Sequence, residues 1–181
     1  SIKGIEELAI LLVKVNFIDK LSELYLLPLT VTGGDFADGI LYEHRDEVAA
    51  YVKSGRSRKI LFNAVYEGEF GTNFLRALKN TIHGKKGELH FSVGKAGRKF
   101  FNDSRNFNKV KIIEDERGFV SMLFGSSKVL KIYRRVEEGP HPAVEALRFL
   151  TEQTAFNNIP DFCGYAYYRN NVKEETTIGL L

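Results

Sequence analysis

The chain has 181 residues, 44% of them hydrophobic, which suffices for one globular domain of ordinary size or for two small subdomains. Its net charge of +3 is too small to indicate a nucleic-acid partner, although basic residues cluster at 53–59 and 95–99. No apolar run reaches membrane-spanning length and the first residues lack a signal-peptide pattern, so we expect a soluble cytoplasmic protein with no membrane partner. Cys163 is the one cysteine, so we expect no disulfide. The small net charge leads us to expect no nucleic-acid partner.

The N-terminal part contains two apolar runs, LAILLVKVNF at 8–17 and LYLLPLTVT at 24–32, separated by a polar segment. This pattern predicts an antiparallel β-hairpin. Pro28 lies inside the second run and has no N–H group to donate to a ladder, so we expect that strand at the edge of a sheet.

The middle of the chain predicts one helix. Apolar residues recur at helical spacing between 69 and 87, namely Phe70, Phe74, Leu75, Leu78 and Ile82, and Gly84 stands where a helix would stop. Gly94 and Gly97 are not followed by the Lys-Ser/Thr pair of a phosphate-binding P-loop, so we interpret them as part of an ordinary loop. The four histidines show no metal-ligand spacing, and we predict no metal site.

The second half of the chain predicts five strands and one helix. The strands are KVKIIED at 109–115, FVSMLF at 119–124, SKVLKIY at 127–133, GYAYYRN at 164–170 and TTIGLL at 176–181, and the helix is AVEALRFLTEQ at 143–153. Pro142 favours a helix start at this point. The predicted fold class is α+β, with a cap subdomain of antiparallel strands and a helix at 1–86, followed at 87–181 by a five-stranded antiparallel sheet with one helix.

A lysine and a glutamate stand out in this second half. Strand alternation places Val129, Lys131 and Tyr133 on one face and Leu130 and Ile132 on the other. A helix that packs back on its sheet can bring Glu145 to Lys131, which is the lysine–glutamate layout of a kinase N-lobe. We expect direct or one-water contact between the two, with Leu147 packing against Leu130 and Ile132. The alternative from pattern alone is a solvated lysine and a solvated glutamate, because such pairs are common by accident.

The string SKVLKIYRRVEEGPHPAVEALRFLTEQTAF, 127–156, resembles the segment around the lysine strand of maltokinases and of the maltokinase part of trehalose synthase fusions. The matching residues are Leu130, Lys131, Tyr133, Arg134, Arg135, Gly139, Pro142, Glu145, Arg148, Phe149, Leu150, Thr151 and Glu152. Residues 25–29, YLLPL, resemble a motif in the N-terminal cap of the same family. The resemblance implies a kinase-like N-lobe in the second half and an ATP-dependent sugar kinase that converts maltose to maltose 1-phosphate.

The resemblance also implies a nucleotide-binding set. Lys131 and Glu145 would form the phosphate-binding pair, Val129 would cover the nucleotide, and Gly118 and Ser121 belong to the turn that contacts phosphate. Maltokinases have a Gln-Ser-Asn-Thr-Ser turn where this chain has residues 117–121, RGFVS, and only the last serine is shared. Because hydroxyls and backbone N–H groups are what such a turn offers to phosphate, this difference predicts an altered phosphate contact.

We expect the chain to end before the catalytic lobe, so that ATP, magnesium and maltose would bind through the longer enzyme and the 181 residues alone would not catalyse phosphoryl transfer. A trehalose synthase domain in the same polypeptide is a further expected partner. Two alternatives stay open: a non-catalytic interdomain or partner-binding module with the same fold, and a nucleic-acid-binding domain that uses the basic loops.

Overall fold

The computed structural model describes residues 8–55, 57–77, 79, 81–84, 86–103, 110–116, 118–156 and 158–181. Up to residue 77 its elements are β1 (Ala9–Val15), β2 (Glu23–Gly33), α1 (Asp35–Glu43), β3 (Val48–Ser54), β4 (Ser57–Asn63) and α2 (Phe70–Ala77), with 3-10 helices at Arg45–Glu47 and Ala64–Tyr66. The later elements are β5 (Ile82–His83), β6 (Gly87–Val93), α3 (Lys95–Asn102), β7 (Val110–Asp115), β8 (Phe119–Phe124), β9 (Lys128–Tyr133), β10 (Arg135–Val136), α4 (Pro142–Gln153), β11 (Gly164–Asn170) and β12 (Glu175–Leu180).

The strands form two antiparallel sheets. The first has the order β1-β2-β4-β3, and β10 also pairs with β2, so that the segment after β9 connects the two sheets. The second has the order β5-β6-β11-β12-β9-β8-β7. The prediction of a mixed fold with antiparallel sheets is confirmed.

The predicted details of the second sheet need correction. The five predicted strands are all present and adjacent, but β5 and β6 extend the sheet to seven strands. The described residues contain four α-helices, where one was predicted for each half. Both β5 and β6 were missed because the strand GELHFSV follows directly on a segment whose apolar spacing is helical.

The N-terminal hairpin β1–β2 is confirmed, but the edge position predicted from Pro28 is wrong. β2 lies inside its sheet, between β1 on one side and β4 and β10 on the other. The Leu26 N–H points to the β10 side, where it donates to the Arg134 carbonyl at 2.8 Å. By alternation the nitrogen of Pro28 faces the same side, in the gap between the residues that pair with β10 and those that pair with β4. A proline is tolerated there because that position needs no donor.

The helix predicted across 70–82 is shorter than expected. α2 ends at Ala77 and buries Phe70, Phe74 and Leu75, as the apolar stripe predicts. Ile82 instead begins β5 and pairs with Leu89 of β6. Leu78 lies outside the described residues. Local spacing favoured a longer helix, and strand pairing with β6 prevailed because tertiary partners outweigh weak helical propensity.

The loop predicted around Gly94 and Gly97 is the start of α3. An added Cβ at Gly97 would lie 1.9 Å from the carbonyl oxygen of Cys163, and one at Gly94 would lie 2.7 Å from that of Phe162. The glycines therefore serve close backbone packing of α3 against 162–163.

The two sheets share one buried cluster. It includes Leu26 and Val65 from the first half of the chain and Val120, Leu130 and Ile178 from the second. In a smaller cluster, Ala37 and Ile40 of α1 pack with Ile60 and Phe62 of β4. Within the described parts of the chain, no helix is long and apolar enough to cross a membrane.

Candidate ligand-binding cavity

A cavity of about 1280 Å³ lies on the face of the second sheet that points away from the core. We call it the sheet cavity. Strands β8, β9 and β12 form its floor, and α4 and the segments 137–141 and 159–161 form its walls. The lining includes Gly118, Phe119, Val129, Lys131, His141, Leu147 and Thr177.

Strand register decides which side chains face this cavity. Across β8 and β9, Phe119 pairs with Tyr133 and Ser121 pairs with Lys131, so Val129, Lys131 and Tyr133 share one face as predicted. Leu130 and Ile132 point to the other face and are 0% and 3% exposed in the core.

The Lys131 ammonium lies over the ring of Phe119, 3.6 Å from its centroid. Among the described residues, no Asp or Glu carboxylate forms an ion pair with this ammonium. Lys131 is therefore a cation that faces the cavity without an anionic partner among the described side chains. Such a group is suited to bind an anionic ligand.

Glu145 does not meet Lys131. It is exposed in the first turn of α4, whereas Ala143 and Leu147 of the same helix line the cavity. Two residues along a helix correspond to a rotation of about 200°, so a helix that turns Leu147 toward the cavity turns Glu145 away from it. The expected direct ion pair is absent for this reason.

The expected packing of Leu147 against Leu130 and Ile132 is wrong. Leu130 and Ile132 belong to the core cluster, and Leu147 does not pack against that cluster. Helix α4 instead lies over the opposite face of the sheet, the face that carries Lys131.

The other predicted binding residues divide into two groups. Val129 and Gly118 line the cavity, and Val129 is 40% exposed on the same strand face as Lys131. Ser121 is 1% exposed and does not line the cavity, although it pairs with Lys131 across the strands. Arg117, from the altered turn, lies outside the described residues.

His141 is a cavity residue that the sequence analysis missed. Its Nδ1 accepts the Ala143 N–H at 3.2 Å, which caps α4, and its backbone N–H donates to Thr177 Oγ1 at 3.1 Å. The imidazole stacks on Tyr133 with a centroid distance of 4.2 Å. Burial lowers the pKa of His141, Glu137 opposes this shift and Lys131 adds to it. The His-Pro pair at 141–142 was the available signal, since a capping residue often precedes a helix-starting proline.

Two other cations at the rim, Lys128 and Arg135, are already paired. Lys128 Nζ lies 3.1 Å from Asp161 Oδ2. Burial by itself would lower the pKa of Lys128, but Asp161 and Cys163 hold it above its ordinary value. Arg135 contacts Glu23 at 3.5 Å and Glu137 at 3.7 Å. These pairings leave Lys131 as the cation best placed to receive a ligand charge.

A metal site is not indicated by the part of the chain that the structure describes, where no group of three or more His, Cys, Asp or Glu side chains is arranged to hold an ion.

No protein-family model matches the chain, and no curated protein matches it. The geometry of the sheet cavity therefore carries the functional argument.

Proposed function

We propose that this chain is the N-terminal region of an ATP-dependent, maltokinase-like sugar kinase, and that the sheet cavity holds the nucleotide phosphates. In the longer enzyme the reaction would convert maltose to maltose 1-phosphate with ATP and magnesium, with a trehalose synthase domain as a possible neighbour in the same polypeptide. The observation that carries the proposal is Lys131, which lies on interior strand β9 of the seven-stranded antiparallel sheet and faces a large cavity with no carboxylate partner among the described residues.

The chemistry of the cavity supports a nucleotide. Val129 and Leu147 offer aliphatic surface, and Lys131 offers one positive charge. Ligand sites commonly combine a mostly apolar lining with a few placed polar groups. Phosphoryl transfer depends on neutralising phosphate charge, and a strand lysine performs that role in kinases.

Calorimetric titration of ATP into the 181-residue chain tests the proposal. We expect weak binding, because Lys131 is the cavity cation without a described carboxylate partner and a single charge compensates little of the triphosphate charge, and we expect Lys131→Met to abolish it. Lys53→Met is the matched control, since Lys53 is an exposed strand lysine of the first sheet, remote from the cavity. Equal ATP binding by the two variants would contradict the proposal. A micromolar dissociation constant for the wild type would mean that the nucleotide pocket is not the sheet cavity described above.

A second candidate is a non-catalytic module with the same fold that serves interdomain or partner contacts. The exposed position of Glu145, away from Lys131, favours it, because a lysine held by a helix glutamate is the usual active arrangement. ATP binding that depends on Lys131 would decide against this candidate.

A further inference from the structure

A second cavity, of about 460 Å³, is lined by residues of β1 and β2 from the first sheet and of β5, β6 and β11 from the second. We call it the apolar slot. Edge strand β1 contributes to one side of it, and edge strand β5 with Gly84 and Lys86 contributes to the other. Its volume is within the range of small-molecule sites, roughly 300–1,000 Å³.

The lining of the slot is mainly aliphatic. Ile10 and Leu12 of β1, Ile82 of β5, and Leu26 and Leu89 of the core cluster contribute to it. Tyr168 and His83 supply rings to the lining; the Tyr168 hydroxyl donates to the Lys86 carbonyl at 2.6 Å, and His83 Nδ1 lies 2.7 Å from Glu88 Oε1. The interior therefore offers surface for a hydrocarbon chain and few polar partners.

The rim of the slot carries positive charge. Lys86 lies in the β5–β6 turn, is exposed, and forms no ion pair with any described carboxylate. The nearest acidic residue in sequence, Glu88, is already engaged by two imidazoles, with His83 Nδ1 at 2.7 Å and His90 Nε2 at 3.1 Å. These contacts lower the pKa of Glu88, with His83 as the largest cause. Because Glu88 is occupied, it does not neutralise Lys86.

We propose that the apolar slot binds an amphipathic carboxylate: an unbranched hydrocarbon tail between β1 and β5, and an anionic head group at Lys86. The match is one of surface and charge, since the lining is mainly aliphatic and includes Lys86, which has no ion-pair partner among the described carboxylates. This site is separate from the sheet cavity and does not depend on the proposed kinase function.

A second copy of the chain is the alternative occupant of the same place. β1 is an edge strand with six apolar residues in seven, and Leu11 is 42% exposed on it. Such an edge can pair with a second copy of the chain. We favour the ligand over a second copy because β5, Gly84 and Lys86 line the same slot as β1. The space between them is of a size that a hydrocarbon chain would fill.

Calorimetry with hexanoate, octanoate, decanoate and dodecanoate, each below its micellar concentration, is the primary test. Affinity should rise by about fourfold for each methylene that the slot buries, and then stop rising when the slot is full. Decyltrimethylammonium should bind more weakly than decanoate. A series without a plateau, or equal binding of the two head groups, would mean unspecific adsorption and overturn the proposal.

Two pairs of variants locate the site. Lys86→Glu should weaken decanoate binding by about fivefold or more and improve binding of the cationic amphiphile, while Lys53→Glu should change neither. Ile82→Glu places a charge inside the slot and should abolish binding, while Ile113→Glu, on the exposed opposite edge strand β7, should leave it intact. Thermal melts confirm that each variant is folded.

The oligomeric state is measured on the same samples by sedimentation. We expect a monomer at all concentrations used for calorimetry. A concentration-dependent dimer that Leu11→Lys abolishes would assign the slot to a second copy of the chain and overturn the ligand assignment.

Discussion

Lys131 reaches the ring of Phe119 because the two residues are diagonal neighbours on β9 and β8. Lys131 pairs with Ser121, and Phe119 lies two positions along on the same face. Long side chains span such diagonals in antiparallel sheets. The ammonium therefore rests on an aromatic face while its charge stays open to the cavity.

We predict that Lys131→Met changes the free energy of unfolding by less than about 1 kcal/mol, because an accessible cation–π contact contributes about 0.5–1 kcal/mol and methionine keeps the apolar stem. Urea unfolding measures this. In the proposed maltokinase-like enzyme the same substitution should reduce turnover by on the order of a hundredfold or more, because it would remove the charge proposed to neutralise the transferred phosphate. A large loss of stability in the 181-residue chain would show that Lys131 has a structural role instead.

His141 gives the protein a specific pH dependence. Its lowered pKa means that the unfolded chain binds a proton more readily than the folded chain, so stability should fall as the pH drops below about 6.5 and level off below the folded-state pKa. Protonation of Nδ1 would also break the cap on Ala143. We expect the urea midpoint of the wild type to decrease between pH 7.5 and 5.

The control for this prediction is His141→Asn, which keeps a capping acceptor and does not titrate. Its urea midpoint should vary less than that of the wild type over the same interval. Glu23 and Glu88 have lowered pKa values, so their contributions are lost only below the ordinary glutamate range and do not interfere. Parallel pH profiles for both proteins would contradict the assignment to His141.

At the scale of elements, α3 depends on a close approach to the chain before β11. We predict that Gly97→Ala lowers the free energy of unfolding by about 1–3 kcal/mol, since the new Cβ would meet the Cys163 carbonyl oxygen and force the backbone to shift. Gly39→Ala in α1 is the matched control. No atom lies within 4 Å of its added Cβ, so it should stabilise the protein by up to about 1 kcal/mol. Thermal melts of both variants measure the contrast, and similar shifts would contradict the packing argument.

At the scale of the whole molecule, Arg134 connects the two sheets. Its Nη2 lies 3.2 Å from Glu47 Oε1 and donates to the Tyr66 hydroxyl at 3.2 Å, and its carbonyl accepts from Leu26. Arg134 follows β9 of the second sheet, whereas Glu47, Tyr66 and Leu26 belong to the N-terminal half.

We predict that Arg134→Met lowers the free energy of unfolding by about 1.5–3 kcal/mol, the usual range for hydrogen bonds to a charged group that is largely shielded from solvent. Arg135→Met is the control from the next position. Its side chain is 53% exposed, and its ion pairs at 3.5 and 3.7 Å should contribute at most about 1 kcal/mol. Chemical denaturation distinguishes the two, and equal effects would show that Arg134 does not join the sheets.

The candidate site was predictable only in part. Alternation along β9 correctly places Val129, Lys131 and Tyr133 on one face, because the period of a strand is fixed by its backbone. The position of Glu145 was not predictable, since the rotation of α4 about its axis depends on which of its side chains the sheet accepts. His141 joined the cavity through contacts with Tyr133 and Thr177, which lie far from one another in sequence.

The sequence by itself determined the local elements with strong signals: the hairpin β1–β2, the five strands β7, β8, β9, β11 and β12 with helix α4, and the apolar stripe of α2. These follow from side-chain periodicity and from turn residues, which act over a few positions. Only the tertiary structure decided that β5 and β6 extend the second sheet, that Pro28 lies in an interior strand, and that helix α3, not a loop, follows Gly94. Each of these outcomes depends on a partner distant in the chain, namely β11, β4 and the Cys163 backbone, and long-range pairing leaves no local periodic signal.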